Sequence, residues 1–276
     1  MIVLFECQIN NKLVEIKRII QFICSIATNV QWEIEIDGIV IQILEGSHVS
    51  LTVIQLHESF FHQYNCSKRR IIGMNMEELK NILKSANNND DIVFQLQEDN
   101  GKEKFCIILH NTTYHINLMK IESDKLDIQI PEVYDIQIRI HSTEYNRLFG
   151  TFPTDEVRIY GNVDHQIITL SSPKKLSNKK DEKKEDNNVS ISTEWRINDD
   201  KRNVNVKIRL RSNVDMIFPS KYFSCFCKPY LLSKKHYIYL NIKQDQPILI
   251  NYNLEEYKKY SFINSFIAAK MDDNIE

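Results

Sequence analysis

The side chains that could do covalent or redox chemistry in this chain are few and dispersed. His48, Cys66, Asp90 and Asp91 have the types needed for nucleophilic or acid–base work, but such work needs a base beside its nucleophile and a third group to orient it. The spacing supplies no such set. There is no G-x-S-x-G turn and no phosphate-binding glycine loop, and 276 residues contain only six glycines from which to build one. The cysteines, Cys7, Cys24, Cys66, Cys106, Cys225 and Cys227, form no C-x-x-C pair. Cys225-Phe226-Cys227 is the nearest approach to a metal doublet, but no histidine lies close to complete it, so it reads as buried thiols in a reducing compartment. The expectation is a protein that is not an enzyme and needs no metal or cofactor. What it does must then come from noncovalent contact, made by apolar anchors and by Lys and Arg.

Those contacts need elements to hold them. Hydrophobic content of 42% and charged content of 26% fit a globular chain large enough for two domains of roughly 130 residues. No apolar run approaches the roughly 20 residues of a membrane helix, and the N-terminal MIVLFECQIN alternates like a strand rather than a signal peptide. A net charge of −2 carries no sign of a polyanion partner, so any nucleic-acid contact must be local. Short alternating runs, such as residues 32–36, 92–96, 105–109, 135–140 and 204–210, predict strands. Four segments instead have helical spacing: Lys12 to Ala27, Asn75 to Ala86, Ser142 to Phe152, with Ser142-Thr143-Glu144 as its capping start, and a short one from Pro219-Ser220 onward. The order of strands and helices over residues 1–118 recurs over 134–276, which implies a diverged tandem duplication joined by a connector at 119–133. Residues 173–188, PKKLSNKKDEKKEDNN, read as a mobile charged loop. Its lysines resemble a nuclear-import signal, but acids interleave with them, which favours a solvated loop.

One stretch is more specific. Gly38 to Leu56, GIVIQILEGSHVSLTVIQL, sets Leu44-Glu45-Gly46-Ser47-His48-Val49-Ser50-Leu51 between two strand-like halves. It resembles the signature of the PCNA family of eukaryotic DNA sliding clamps. Tyr64-x-Cys66 followed by Gly73-Met74-Asn75-Met76 and Lys80 to Lys84 is similar to a second family segment. Leu126-x-Ile128-x-Ile130-Pro131 resembles the family's connector, Gln246 to Tyr252 one of its last strands, and Phe266-Ile267-Ala268-Ala269-Lys270-Met271 its C-terminal segment. The resemblance covers almost the whole chain in order and spacing.

It implies an α+β fold of two tandem clamp domains, with sheets outside and four helices per chain lining the channel of a ring trimer. It implies a clamp that encircles duplex DNA without reading its sequence, is opened by an ATP-dependent clamp loader, and tethers DNA polymerase and other replication and repair proteins in the nucleus. Carried over residue by residue, the DNA-facing positions are Lys17, Lys80, Lys84, Lys221 and Lys228. The pocket for a Q-x-x-[L/I/M]-x-x-[F/Y]-[F/Y] docking-box peptide comprises Leu44, His48, Val49, Leu51, Leu126, Ile128, Pro247, Phe266, Ala268 and Met271. The subunit interface comprises Tyr114, Arg147 and Ile167. Without the resemblance, His48 reads as a hydrogen-bonded structural histidine inside an apolar strand end.

Departures from the family pattern are equally local. Phe266 stands where the family has tyrosine, Ala269 where it has proline, and Val163 where many members carry a modifiable lysine. The chain is several residues shorter just after Asp164, where the family supplies an edge strand to the next subunit. If Ile167 to Leu170 is that strand, a homotrimer can close. If that strand has been lost, the ring is weak or needs a different partner subunit; the alternative reading is a clamp-fold subunit of a hetero-oligomeric checkpoint or transcription-related adaptor.

Overall fold

The computed structural model describes residues 1–122, 125–150, 152, 154–172, 192–197, 205–226, 237–254 and 260–270. The chain divides into two compact units. The first contains Met1–Gln129 and Asn251–Ser265, and the second contains Ile130–Cys227, Tyr237–Ile250 and Phe266–Glu276.

In the first unit a strand β1 (Ile2–Ile9) leads into helix α1 (Leu13–Cys24), then the meander β2 (Asn29–Glu35), β3 (Gly38–Leu44) and β4 (Ser50–His57). Strands β5 (Gln63–Cys66) and β6 (Arg70–Asn75) precede helix α2 (Met76–Lys84), and β7 (Ile92–Asp99), β8 (Lys102–Leu109) and β9 (Thr112–Ile116) complete the series. They form one sheet of order β5-β1-β7-β8-β9 and a second run β4-β3-β2-β6. Strand β18 (Phe262–Ile267) adds to the free side of β4. Ser265 and Thr52 share a buried hydroxyl–hydroxyl bond of 2.6 Å there, and the Ser261 hydroxyl accepts the His57 N–H at 3.1 Å. This pairing places Asn251–Ser265 in the first unit although they lie late in the sequence.

The two sheets close on an aromatic cluster in which Trp32 of β2 meets Phe94 of β7 and Phe105 of β8 with ring centroids 6.4 and 5.9 Å apart. Helix α1 buries Leu13, Ile16, Ile19, Ile20, Phe22 and Ile23, the stripe its spacing predicts with Phe22 added and without Ala27. Each such side chain contributes about 1.5–3 kcal/mol. Helix α2 starts sharply because the Asn75 side chain accepts the N–H groups of Glu77 (2.9 Å) and Glu78 (3.2 Å), a cap with acids in its first turn and Lys84 in its last.

The second unit repeats the plan. Strand β10 (Ile136–His141) leads into α3 (Ser142–Phe149), and β11 (Glu156–Asn162), β12 (Ile167–Ser171), β13 (Ser192–Arg196), β14 (Val206–Leu210) and β15 (Val214–Pro219) precede α4 (Ser220–Cys225). Strands β16 (Tyr237–Ile242) and β17 (Ile248–Asn253) follow. Sheet order is β13-β12-β11-β15 in one layer and β14-β10-β16-β17 in the other. Helix α3 is shorter than its spacing predicts, because Phe152 precedes a proline and is biased away from helical backbone. Phe152 still packs on Phe149, and Phe149 stacks on Phe223 of α4 at 5.0 Å. The α3 cap also differs from expectation. The His141 ring accepts the Thr143 N–H, so Ser142 and Thr143 already sit inside the first turn.

Candidate functional site

The connector after β9 is fixed to the first unit by three successive contacts, each to the next strand across the sheet. Met119 donates its N–H to the Gly73 carbonyl on β6 at 2.9 Å. The approach is so close that a Cβ on Gly73 would stand 2.4 Å from the Met119 carbonyl oxygen, so no other residue fits. The Lys125 ammonium lies 3.0 Å from the Glu33 carboxylate on β2, which also receives Arg69 at 2.6 Å. Burial pushes the Glu33 carboxyl up, but the hydrogen bonds from Lys125 and Arg69 outweigh it and hold the group below its ordinary value. On β3 the Gln42 amide then takes both backbone groups of Leu126: its nitrogen donates to the Leu126 carbonyl (2.8 Å), and its oxygen accepts the Leu126 N–H (2.9 Å). A single side chain thus does for the connector what a paired strand would do.

This arrangement leaves apolar side chains facing water. Leu126 is 42% exposed and Leu44, two residues beyond Gln42 on β3, is 37% exposed; Met119 is also exposed. Ile128 is half-buried. After Leu44 the chain turns rather than continuing as strand. Glu45 donates its N–H to the Ser50 carbonyl, its carboxylate accepts the N–H and hydroxyl of Ser47, and His48 adopts a φ of 59°. His48 is therefore an exposed loop residue and not a structural histidine inside an apolar strand end. Val49 is half-buried, and Leu51, paired with Leu44 across β3 and β4 and so on the same face, is buried.

The rest of the expected pocket set belongs to the second unit or to the strand that ends it. Pro247 is exposed just before β17, Ala268 is half-buried, and Phe266 is buried at 7% exposure, so its ring supports the fold rather than offering surface. The segment ends with the Lys270 N–H donating to the Ile217 carbonyl at 2.8 Å and its ammonium on Glu156. Met271 lies outside the described residues, as do Lys228 and the charged loop 173–188.

The helix lysines are less alike than their spacing suggests. Lys17 donates to the Ala86 carbonyl at 2.5 Å, Lys80 is tied to Glu77 at 2.9 Å, and Lys84 is exposed against Asn81. Lys221 sits 4.6 Å from the centre of the Tyr222 ring. Helix α4, Ser220–Cys225, carries Lys221. Helix by helix, α1 carries two cations and one carboxylate, α2 two and two, α3 one and one, and α4 one cation. Arg147 is paired with Glu144 at 2.5 Å.

The sheet edges correct one expectation. Ile167 heads β12, but β12 pairs with β11 on one side and with β13 on the other, opposite Asn162 and Arg196 respectively. Strand Ile167–Ser171 is thus internal, and the end strand of its sheet is β13. Tyr114 lies on β9, the corresponding end strand in the first unit, opposite Ile107. Among the described residues both strands leave one side of their backbone unpaired.

Sequence reasoning missed Gln42, Glu33 and Gly73. Gln42 had a visible signal, a lone amide in the otherwise apolar run GIVIQIL. Glu33 had none, because its partners are distant in sequence.

Comparison with known proteins agrees with this architecture. The N-terminal domain model of proliferating cell nuclear antigen matches residues 4–129, and the C-terminal domain model matches residues 129–270. The chain is 22% identical over 284 residues to proliferating cell nuclear antigen 1 of Plasmodium falciparum, covering 99% of both chains. It is 23% identical over 267 residues to proliferating cell nuclear antigen of Chaetomium thermophilum, covering 94% of this chain and 95% of the relative. The crystal structure of the Entamoeba histolytica protein of that name superposes with a TM-score of 0.78 at 19% identity, over 98% of this chain and all of the other.

Proposed function

The chain belongs to the proliferating cell nuclear antigen family, and we propose on that premise that it works in the nucleus as a homotrimeric ring around duplex DNA. It is a DNA sliding clamp and processivity factor, a scaffold and not an enzyme. No described helix is long and apolar enough to cross a membrane. Three features of the chain support the finer reading.

The unpaired backbones of β9 and β13 suit head-to-tail closure, in which β9 of one copy adds to β13 of the next and buries an edge that would otherwise invite aggregation. On this reading Tyr114 stays at the interface, and Ile167 supports it from the strand behind β13. The cations of the helices suit contact with phosphates that is weak and indifferent to sequence, which is what sliding requires. Lys84 and Lys221, the exposed members, contribute most. Lys17 and Lys80 add charge from more restrained positions.

The observation that carries the partner site is the Gln42 clip. By occupying both backbone groups of Leu126 it fixes the connector with Leu126 and Leu44 presented to solvent, so the binding surface is formed in advance and little ordering entropy opposes a ligand. Polymerase and other replication partners would seat the aliphatic and aromatic anchors of a docking-box peptide there, with Val49 and Ile128 at the margin, Leu51 as support, and His48 at the rim. Pro247, Phe266, Ala268 and Met271 are the positions that the family pattern adds. An ATP-dependent loader would open the ring.

Titration of a fluorescent docking-box peptide tests this reading. The Leu126→Ala and Leu44→Ala variants are expected to bind about tenfold more weakly each. Undiminished binding by both variants would remove the strip from the site.

A further inference from the structure

One sheet face in the second unit is used by neither the ring nor the docking strip. Strand register sets Lys207 on β14 opposite Arg139 on β10, and Arg139 opposite Tyr239 on β16. In the next row Arg209 faces Gln137, and Gln137 faces Asn241. Residues paired across a sheet share a face. The Gln137 amide accordingly donates to Asn241 at 3.2 Å, and the Arg139 guanidinium lies 3.3 Å from the centre of the Tyr237 ring. The intervening residues Ile136, Ile138, Ile140, Ile238, Leu240 and Ile242 are all buried at 1% exposure or less, so the polar side is held rigid from behind.

Among the described residues the charge on that side is positive, apart from Asp135 at its margin. Lys207, Arg209 and Arg211 are exposed, and Arg139 is half-buried. The ion pairs among the unit's described residues are Arg147–Glu144, Arg158–Asp215, Arg196–Glu194 and Lys270–Glu156, and none uses these four. The acid at the margin, Asp135, already accepts the Gln244 N–H at 2.8 Å, while its carbonyl accepts the Arg211 N–H. The fold does not demand this composition. On the equivalent strands of the first unit, β5-β1-β7, the corresponding rows hold Asn65, Glu6 and Gln95, then Gln63, Gln8 and Val93.

We propose that the β14-β10-β16 face binds single-stranded nucleic acid, with Lys207, Arg209, Arg211 and Arg139 on phosphates and Tyr237 and Tyr239 as stacking surfaces for bases. Cations interleaved with aromatic rings on a rigid sheet are the chemistry that holds single strands without reading sequence. The three strands span about 10 Å, and the described residues of this face belong to strands of a sheet rather than to a helix that could enter a duplex groove. An acidic peptide would use the cations but would leave the tyrosines without a role.

The test is fluorescence anisotropy with an oligothymidine of about twelve nucleotides, matching the site sizes of sheet-based binders. It uses the full-length protein, with a polyglutamate peptide of equal length as competitor. The wild type is expected to bind, with an affinity that falls steeply as salt rises. K207E/R209E should weaken binding by at least about tenfold, K207Q/R209Q by less, and Tyr239→Leu several-fold, while K102E, at an exposed lysine of β8, leaves it unchanged. Thermal melts of each variant separate lost binding from lost folding. Absence of wild-type binding overturns the proposal. So does undiminished binding by Tyr239→Leu with equal competition by polyglutamate, which marks a surface for acidic protein segments. A loss with K84E that K207E/R209E does not share assigns the contact to the helices instead.

Discussion

Strands β5-β1-β7 of the first unit and β14-β10-β16 of the second have the same order and direction, yet they show water different chemistry. The first presents amides around Glu6, whose carboxylate accepts the Gln95 amide. The second presents arginine, lysine and tyrosine. Both stand on buried residues, Phe5, Cys7 and Phe94 in one and Ile136, Ile138 and Leu240 in the other, each at 1% exposure or less. Duplication therefore preserved the apolar side, where a changed volume is costly, and left the solvent side free to diverge. The partner a face can take is decided on the side that contributes least to stability.

The largest effects should come from breaking that shared foundation. Phe94→Ala and Ile138→Ala are each expected to destabilise the protein by about 2–5 kcal/mol in urea unfolding. A small loss at one site and a large loss at the other would show that the two cores are not equivalent. Next comes the connector. A Cβ on Gly73 collides with the Met119 carbonyl, so Gly73→Val should displace the connector and cost peptide affinity at least about tenfold, with oligonucleotide binding unchanged.

Gln42→Ala is milder. Two hydrogen bonds to Leu126 are lost at about 0.5–1.5 kcal/mol each, which should appear as several-fold weaker peptide binding by calorimetry with little change in melting. The smallest effect concerns pH. The Glu33 carboxyl is held below its unfolded value of 4.5, so its contribution is complete above about that pH and is lost as the pH falls through the folded value. Peptide affinity should be flat from pH 8 to about 5 and then decline. In Glu33→Gln the acid decline should be shallower. An equally steep acid decline in Glu33→Gln would contradict this role for Glu33.

Much of the fold was legible because it is local. Alternation and helical stripes located all four helices and the five strands named from the sequence, and the Gly38–Leu56 signature pointed to the family. What was illegible depends on pairing between distant segments. Lys207-Ile208-Arg209 reads as half of an amphipathic strand, and nothing in the sequence sets it beside Arg139 and Tyr239, which lie many residues away on either side. The internal position of Ile167 is likewise a matter of strand order, since alternation fixes a strand but not its neighbours. His48 was misplaced for a different reason. The apolar halves around it suggested continuous strand, whereas Glu45 folds back on Ser47 and Ser50 and forces a left-handed residue at the tip. The family pattern named Leu44 and Leu126, but the Gln42 clip that holds Leu126 was not legible in it.

The central claim is that this chain closes on itself into a ring through β9 and β13. Light scattering of the purified chain across concentration and salt tests it most directly. The account predicts a particle of about three times the 32.7 kDa chain mass that dissociates when the exposed backbone of β13 is blocked by proline at Glu194. A particle of 32.7 kDa at every concentration, unchanged by Glu194→Pro, would contradict it.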